Sequence, residues 1–458
     1  MKEAITKTLT IMKRILALSV GLFSTFFVQA QEQHIGLSTA PRGGVIAADL
    51  NPAELSNMRY KYEVGIIGLQ VGAFNNSVNL NDLTSQKTDN ERFDKVFASN
   101  NETDVRINVM VMQPAFAMKI KNKWGVGLNV QTHGSINTLN LNTDIGKALS
   151  IGFDENSDNI DISTKSKMRL NAATWSEMNL SGSRIIFENW AHRFNGGLTV
   201  KFLFPGMYAN VSVDQIKGQI GYDLAQQTTV LSGVDNSRIN IAYSGSMINN
   251  GPYAMGQFGG IGADIGFSYQ LKDTIGAYKV NAGMSIKNMG SMLYKSQSGE
   301  ETFRTYELTT QGVNPLDLES LSGGLDEIQQ QLEDGGYITP IQKSFSQKVK
   351  LPTAFVVYAD FQVVPKFNIS VFTQQRVGDP DDNYIIPVQN VYAVTPRFTT
   401  KFFDAYSTWG SYEISGLTGG FGLRLGGFYL GSNSVITGLL ANGKNIDLHM
   451  GARWAFGQ

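Results

Sequence analysis

From Asn445 onward the sequence alternates between two kinds of residue. Ile446, Leu448, Met450, Ala452, Trp454 and Phe456 occupy even positions, with Asn445, Asp447, His449, Gly451, Arg453, Ala455 and Gly457 between them. Successive side chains on an extended strand point to opposite faces, so this segment has one apolar, aromatic face and one polar or small face. The same rhythm recurs upstream. Trp124, Val126, Leu128 and Val130 alternate with Gly125, Gly127 and Asn129; Ile261, Ala263, Ile265, Phe267 and Tyr269 alternate with Gly262, Asp264, Gly266 and Ser268. Val280, Ala282, Met284 and Ile286 alternate with Asn281, Gly283, Ser285 and Lys287, and shorter runs share one parity at Phe194–Phe204, Phe367–Val371 and Phe421–Leu425.

Half-buried strands of a soluble sandwich or propeller alternate in the same way. The N-terminus decides against that reading. Lys13 and Arg14 precede an apolar run from Ile15 to Val28, and Val28-Gln29-Ala30 suits signal peptidase. The run is about 14 residues, short of the roughly 20 that a spanning helix needs. Residues 1–30 therefore read as a Sec signal peptide, and Met12-Lys13-Arg14 resembles a signal-peptide start, which would make residues 1–11 an upstream start-codon artefact. No later segment is an uninterrupted apolar stretch of helix length, so a mature chain that meets lipid must do so as a closed barrel. Composition agrees. The charged fraction is 17%, below the soluble average of about 25%, while 48 glycines, 26 phenylalanines and 17 tyrosines suit strands at a membrane interface.

The sequence thus predicts an all-β protein, a transmembrane antiparallel barrel of about 14 strands. Polar stretches at 81–103, 139–168, 232–256, 291–349 and 376–390 read as its extracellular loops. The predicted layout is a signal peptide at 1–30, an N-terminal hatch or periplasmic segment at 31–58 and the outer-membrane barrel at 59–458.

A stretch of small residues, Gly36 to Ala48, leads through Asp49 and Leu50 into Asn51-Pro52-Ala53 just before the first strand. It resembles the N-terminal segment of the long-chain fatty-acid transporter superfamily of outer-membrane barrels, and within it the uncharacterised barrels related to the barrel subunit of the type IX secretion system. Leu351-Pro352-Thr353, opening the strand Ala354–Val363, is similar to a second recurrent feature of these families. The resemblance implies that Asp49, Asn51, Pro52 and Ala53 belong to a hatch folded into the lumen. The residues alone also allow Asn-Pro as a plain turn initiator.

Leu318, Leu321, Leu325, Ile328 and Leu332 step by three and four, which predicts a helix over 315–334 within a long loop, weakened by Gly323-Gly324. Such a helix could roof a groove, dock a partner or pack over the barrel mouth. The chain has no cysteine, and its four histidines show no metal spacing. Asp154, Asn156 and Asp158 mimic the start of a calcium loop, but Asn159 and Lys165 replace its glycine and glutamate. Asp379-Pro380-Asp381-Asp382 reads as a solvated acidic loop. Charges of lumen parity, Asp264, Lys287, Arg424, Asp447 and Arg453, are expected to pair across the lumen. With 38 basic against 39 acidic residues there is no footprint for nucleic acid.

No cofactor, metal or catalytic constellation is expected, and the chain does not read as an enzyme. The leading expectation is an outer-membrane conduit or binder for a hydrophobic or amphiphilic small molecule, surrounded by outer-membrane lipid. The alternative is a non-enzymatic scaffold or shuttle for an exported-protein partner.

Overall fold

The computed structural model describes residues 34–40, 43–79, 82, 95–97, 102–146, 155–244, 256–273, 278–296, 298–321, 324–440 and 443–457. The expected signal peptide and Asp154 lie outside the described residues.

Strand β1 (Tyr62–Asn75) is followed by β2 (Thr103–Met112) and β3 (Ala115–Ile120), two runs of one wall strand, and by β4 (Trp124–Leu141). After β5 (Ile160–Ser163), which lies off the wall, β6 (Met168–Glu188) and β7 (His192–Val213) are the two longest strands. Beyond them β8 (Lys217–Asp223) and β9 (Thr228–Ser232) form an outlying hairpin. Next, β10 (Ser237–Ser244) and β11 (Gly260–Leu271) pair with the two halves of β7, so they are one wall strand in two runs. The same holds for β12 (Val280–Lys295) with β13 (Phe303–Leu308). Past the short β14 (Leu316–Asp317), the runs β15 (Ile338–Ser344), β16 (Ser346–Lys350) and β17 (Ala354–Val364) form the following wall strand. The wall is completed by β18 (Phe367–Arg376), β19 (Val391–Thr399), β20 (Phe403–Tyr412), β21 (Gly416–Leu425), β22 (Phe428–Ser432) and β23 (Asn445–Phe456). With broken runs counted once, this is a closed antiparallel barrel of 14 strands. The seam joins β1 to β23, Tyr62 opposite Phe456 and Phe74 opposite Asn445.

Parity sorts inside from outside. Leu128, Ile265 and Trp454 are 42%, 44% and 41% exposed, whereas their neighbours Asn129, Asp264 and Arg453 are buried. Apolar side chains ring the outer wall and polar ones line the lumen, the inverse of a soluble fold and the arrangement lipid requires. The short turns lie at one end, as at Lys121 and Asn122, both left-handed (φ 49° and 55°) between β3 and β4.

The span 291–349 is not the single loop its composition suggests, because β12, β13, β15 and β16 extend the wall through much of it. Ile341 is exposed while Tyr306 and Ile338, on paired runs, pack against the outlying elements. Beyond lipid one strand face meets water or the cap, so the lipid-type alternation stops before the strand does. The cap itself is a four-stranded sheet, β14-β9-β8-β5, over a core of Ile162, Ile216, Ile220, Leu231, Val234 and Leu316.

The loop helix is shorter than the periodicity predicts. It spans Leu325–Asp334, with extended Gly324 as its N-cap, so Gly324 lies at its boundary and not within it; Gly323 lies outside the described residues. Leu318 and Leu321 precede it, yet they and Ile328 still pack against the cap core, where Leu332 is buried. Their shared spacing reflects burial against one core and not one continuous helix.

Candidate functional site in the barrel lumen

Helix α1 (Ile35–Ser38), helix α2 (Gly44–Leu50) and a 3-10 turn at Pro52–Asn57 make up the N-terminal segment, most of it buried. Its contacts come from strands all around the wall. Gly36 O accepts from Arg397 Nη1 (β19, 3.1 Å), Gly43 O from Arg453 Nη1 (β23, 2.7 Å) and Leu50 O from Ser285 Oγ (β12, 2.7 Å). Asp49 accepts from Gln131 Nε2 (β4, 2.8 Å) and faces Lys287 Nζ (β12, 3.6 Å), and Met58 O accepts from Lys119 Nζ (β3, 2.9 Å). Only a segment inside the barrel can touch such a set. These contacts are made by side chains, and no residue of the segment pairs in a sheet among the described residues.

Asn51-Pro52-Ala53 lies against the wall. Pro52 disfavours helical backbone before it, and Asn51 is extended (φ −150°, ψ 111°) with its Oδ1 accepting from Ala53 N at 3.0 Å. Its Nδ2 donates to Phe267 O (2.8 Å), Met284 O (3.3 Å) and Tyr358 Oη (3.2 Å). The approach is possible because the wall presents glycine there. A Cβ on Gly197 would lie 2.3 Å from Ala53 N, one on Gly266 2.0 Å from Asn51 Oδ1, and one on Gly125 2.4 Å from the carbonyl carbon of Leu55. Gly125 and Gly266 stand at lumen parity in the sequence, a signal of close backbone approach that alternation alone reads only as "small". Gly44 adds a left-handed backbone (φ +52°) against the Glu63 carboxylate, which accepts from Val45 N at 3.0 Å.

Most of the lumen charges are paired, Asp447 being the exception among those expected to pair. Lys201 Nζ bridges Glu177 and Asp264 at 3.2 Å each, Arg397 meets Asp360 at 2.6 Å with both side chains fully buried, and Arg453 meets Glu63 at 2.9 Å. Arg424 pairs with Asp404, while Asp447 accepts from the hydroxyls of Ser432 and Ser434. Strand alternation marks such positions only as lumenal; Asp264 also accepts from Asn288 N at 2.6 Å, at a left-handed Asn288 (φ 56°) beside a shift in register. Within the N-terminal segment, burial holds the His34 imidazole down at about 3 and so neutral, and pushes the Glu54 carboxyl above its ordinary value against hydrogen bonds from Tyr358, Asn57 and Asn281.

A second segment enters from the opposite end. Residues 377–390 begin with exposed Asp379 and Asp381, and Ile385 to Gln389 are buried. Arg169 on β6 donates to the carbonyls of Asn383 (3.0 Å) and Ile385 (2.6 Å), Tyr208 on β7 donates to Asn383 O (2.6 Å), and Ile386 joins Trp175, Tyr208 and Tyr294 in one apolar cluster. The acidic stretch is therefore the outer rim of a chain that crosses the lumen, a role its polar composition conceals. A cavity of about 30 Å³ lies between this segment and the wall, lined by Asn108, His133, Lys287 and Pro387 among others.

A closed 14-strand wall, apolar outside and polar within, defines a transmembrane barrel of the Gram-negative outer-membrane type. The chain belongs to the family of unknown function DUF5723, whose model matches residues 52–433. No curated protein matches the sequence. Among solved structures, the toluene transporter TbuX of Ralstonia pickettii is similar at 11% identity, covering 90% of this chain and 93% of its own, with a TM-score of 0.41. A Pseudomonas aeruginosa FadL homologue is similar at 10% identity, over 92% of this chain and 96% of its own, with a TM-score of 0.44. The toluene transporter TodX of Pseudomonas putida is similar at 10% identity, over 89% and 91%, with a TM-score of 0.39.

Proposed function

We propose that this protein is a gated outer-membrane conduit for a hydrophobic or amphiphilic small molecule, with Asp49, Asn51, Pro52 and Ala53 in its inner stopper. The carrying observation is that the lumen is filled by two segments held through side-chain contacts and loop packing. An interior of 14 strands is too wide for its own side chains to fill. A stopper outside the sheet can move without breaking a wall strand. A side entrance of mixed character is supported by a recess of about 1010 Å³ beside the divided wall strand β10/β11, lined by Phe258, Ile261 and Leu293 together with Gln257, Lys295 and Lys348.

The test is single-channel recording in planar bilayers. The parent is expected to stay closed, and deletion of residues 36–50 to open only the inner side, because 377–390 still crosses the lumen. Deletion combined with a shortened 379–388 is expected to conduct. A double variant that assembles and stays as closed as the parent overturns the reading. Extraction of the parent into nanodiscs, with mass spectrometry of what it retains, separates the alternative: a stoichiometric protein and no small molecule favours the scaffold.

A further inference from the structure

On the outer wall, near the end with the short turns, a charge stands in the lipid-facing column of β6. Arg184 lies opposite Trp124 of β4, with its Cζ 4.9 Å from the ring centroid. Leu180 and Ile186 share its parity to either side, and all three are exposed, so the guanidinium sits within the apolar belt and not beyond it. A cation is tolerated on the lipid face chiefly near the interface, where a headgroup anion can reach it. Two more cations stand beside it. The turn between β3 and β4 carries exposed Lys121 and Lys123, and Lys123 O accepts from Ile185 N at 2.9 Å, which holds the turn against the end of β6. Among the described residues no carboxylate pairs with Lys121, Lys123 or Arg184. The acid at this end of β6, Glu188, is already held by Arg193 and Lys272, at 2.6 Å each. The wall is also recessed here. Gly182 lies two residues further from the turn, between Val126 of β4 and Leu198 of β7, and a Cβ on it would meet nothing within 4 Å. An apolar groove one residue wide therefore leads from Arg184 toward Leu128 and Leu180.

We infer that this patch binds an anionic phospholipid, its phosphodiester at Arg184 and the turn lysines and the first part of one acyl chain along Gly182. Short turns mark the periplasmic end of an outer-membrane barrel, so the patch meets the inner leaflet, which is built of phospholipid. Charge selects the headgroup. Three unpaired cations, with Glu188 already taken, leave nothing for the ammonium of a zwitterionic lipid, whereas each basic residue attracts a net negative one. The site lies outside the lumen and rests on the barrel alone, so it holds whether or not the protein conducts.

The test is photo-cross-linking of the full mature chain in phosphatidylcholine nanodiscs. These are doped with a trace of phosphatidylglycerol or phosphatidylcholine carrying a diazirine in one acyl chain, and the labelled sites are mapped by peptide mass spectrometry. Labelling on β6 and the first half of β7, normalised to labelling on β20 and β21, is expected to be about tenfold stronger for the phosphatidylglycerol probe. Arg184→Gln is expected to lower that preference about fivefold, and Lys121→Gln/Lys123→Gln to lower it as well. Lys366→Gln removes an exposed cation from the turn between β17 and β18 at the same end, and should leave the preference unchanged. Equal labelling by the two probes, or an unchanged preference in an assembled Arg184→Gln, overturns the proposal. An equal loss in Lys366→Gln also overturns it, because it would show diffuse attraction to the rim. If Arg184→Gln does not assemble, an unchanged preference in the turn variant overturns it. Weak labelling by both probes, with β6 cross-linked to a second copy of the chain, would do so too.

Discussion

Gly197→Ala is the smallest change that should unseat the N-terminal segment. The added methyl would lie 2.3 Å from Ala53 N and 2.4 Å from Pro52 C, and both are backbone atoms of a turn pinned against the wall, so neither can swing aside as a side-chain tip does. If Asn51 is pushed off, its Nδ2 loses Phe267 O, Met284 O and Tyr358 Oη. Nδ2 has two hydrogens to share among these acceptors, so at about 1 kcal/mol net for each the seated state weakens by about 2 kcal/mol, near thirtyfold in population. The absence of cysteine gives a clean reporter. Ser56→Cys puts a thiol at a fully buried site whose hydroxyl, among the described residues, bonds only to Ala53 O, at 3.1 Å. Labelling by a charged, water-soluble maleimide should be slow in the parent and roughly thirtyfold faster with Gly197→Ala, provided opening precedes labelling. Gly182→Ala is the control, since a Cβ there meets nothing within 4 Å. Equal protection in parent and Gly197→Ala, with heat-modifiable gel migration intact in both, would refute the reasoning.

Leu128→Arg and Ile265→Arg should each lower stability in denaturant titrations from liposomes by about 2–4 kcal/mol if their depth is near the bilayer midplane; tolerance of both would show that this face is not in lipid. Arg397→Met strands Asp360 inside the protein and should cost about 3–5 kcal/mol, whereas Arg397→Met/Asp360→Asn should recover most of it. No recovery in the double variant would mean that Arg397 acts chiefly through the carbonyls of Gly36 and Thr39. Ile386→Asp, which buries a charge in the cluster around Tyr208 and Tyr294, should raise proteolysis at 377–390 while leaving protection at position 56 unchanged; loss of both protections together would mean that the two segments open as one unit.

The wall was legible because lipid enforces a period of two: the outward Leu128, Ile265, Phe421 and Trp454 could all be read by parity. Beyond the bilayer that rule lapses, which is why β13 and β15 were hidden in a polar span. The interior was harder to read for a different reason. Arg397 and Asp360, or Glu63 and Arg453, are far apart in sequence and meet only when the cylinder closes. Asn51-Pro52 announces a turn, but its seat is divided among glycines on three strands, none remarkable alone. The acidic Asp379-Pro380-Asp381-Asp382 reads as loop and draws no attention to Ile385-Ile386 just after it, although burial of those few residues carries the chain across the lumen.

Two stoppers entering from opposite ends have a bearing on cell survival. A lone plug makes the barrier only as dependable as one set of contacts, so a single mutation or one proteolytic cut would expose the periplasm to detergents and antibiotics. On the proposed reading of both segments as stoppers, damage from outside would fall on residues 377–390 and leave Ile35–Asn57 seated, while a disturbance from within would leave the outer crossing in place. Like the paired gates of a canal lock, two stoppers that open separately would stay impermeable through any one failure, and leakage would then require two independent events.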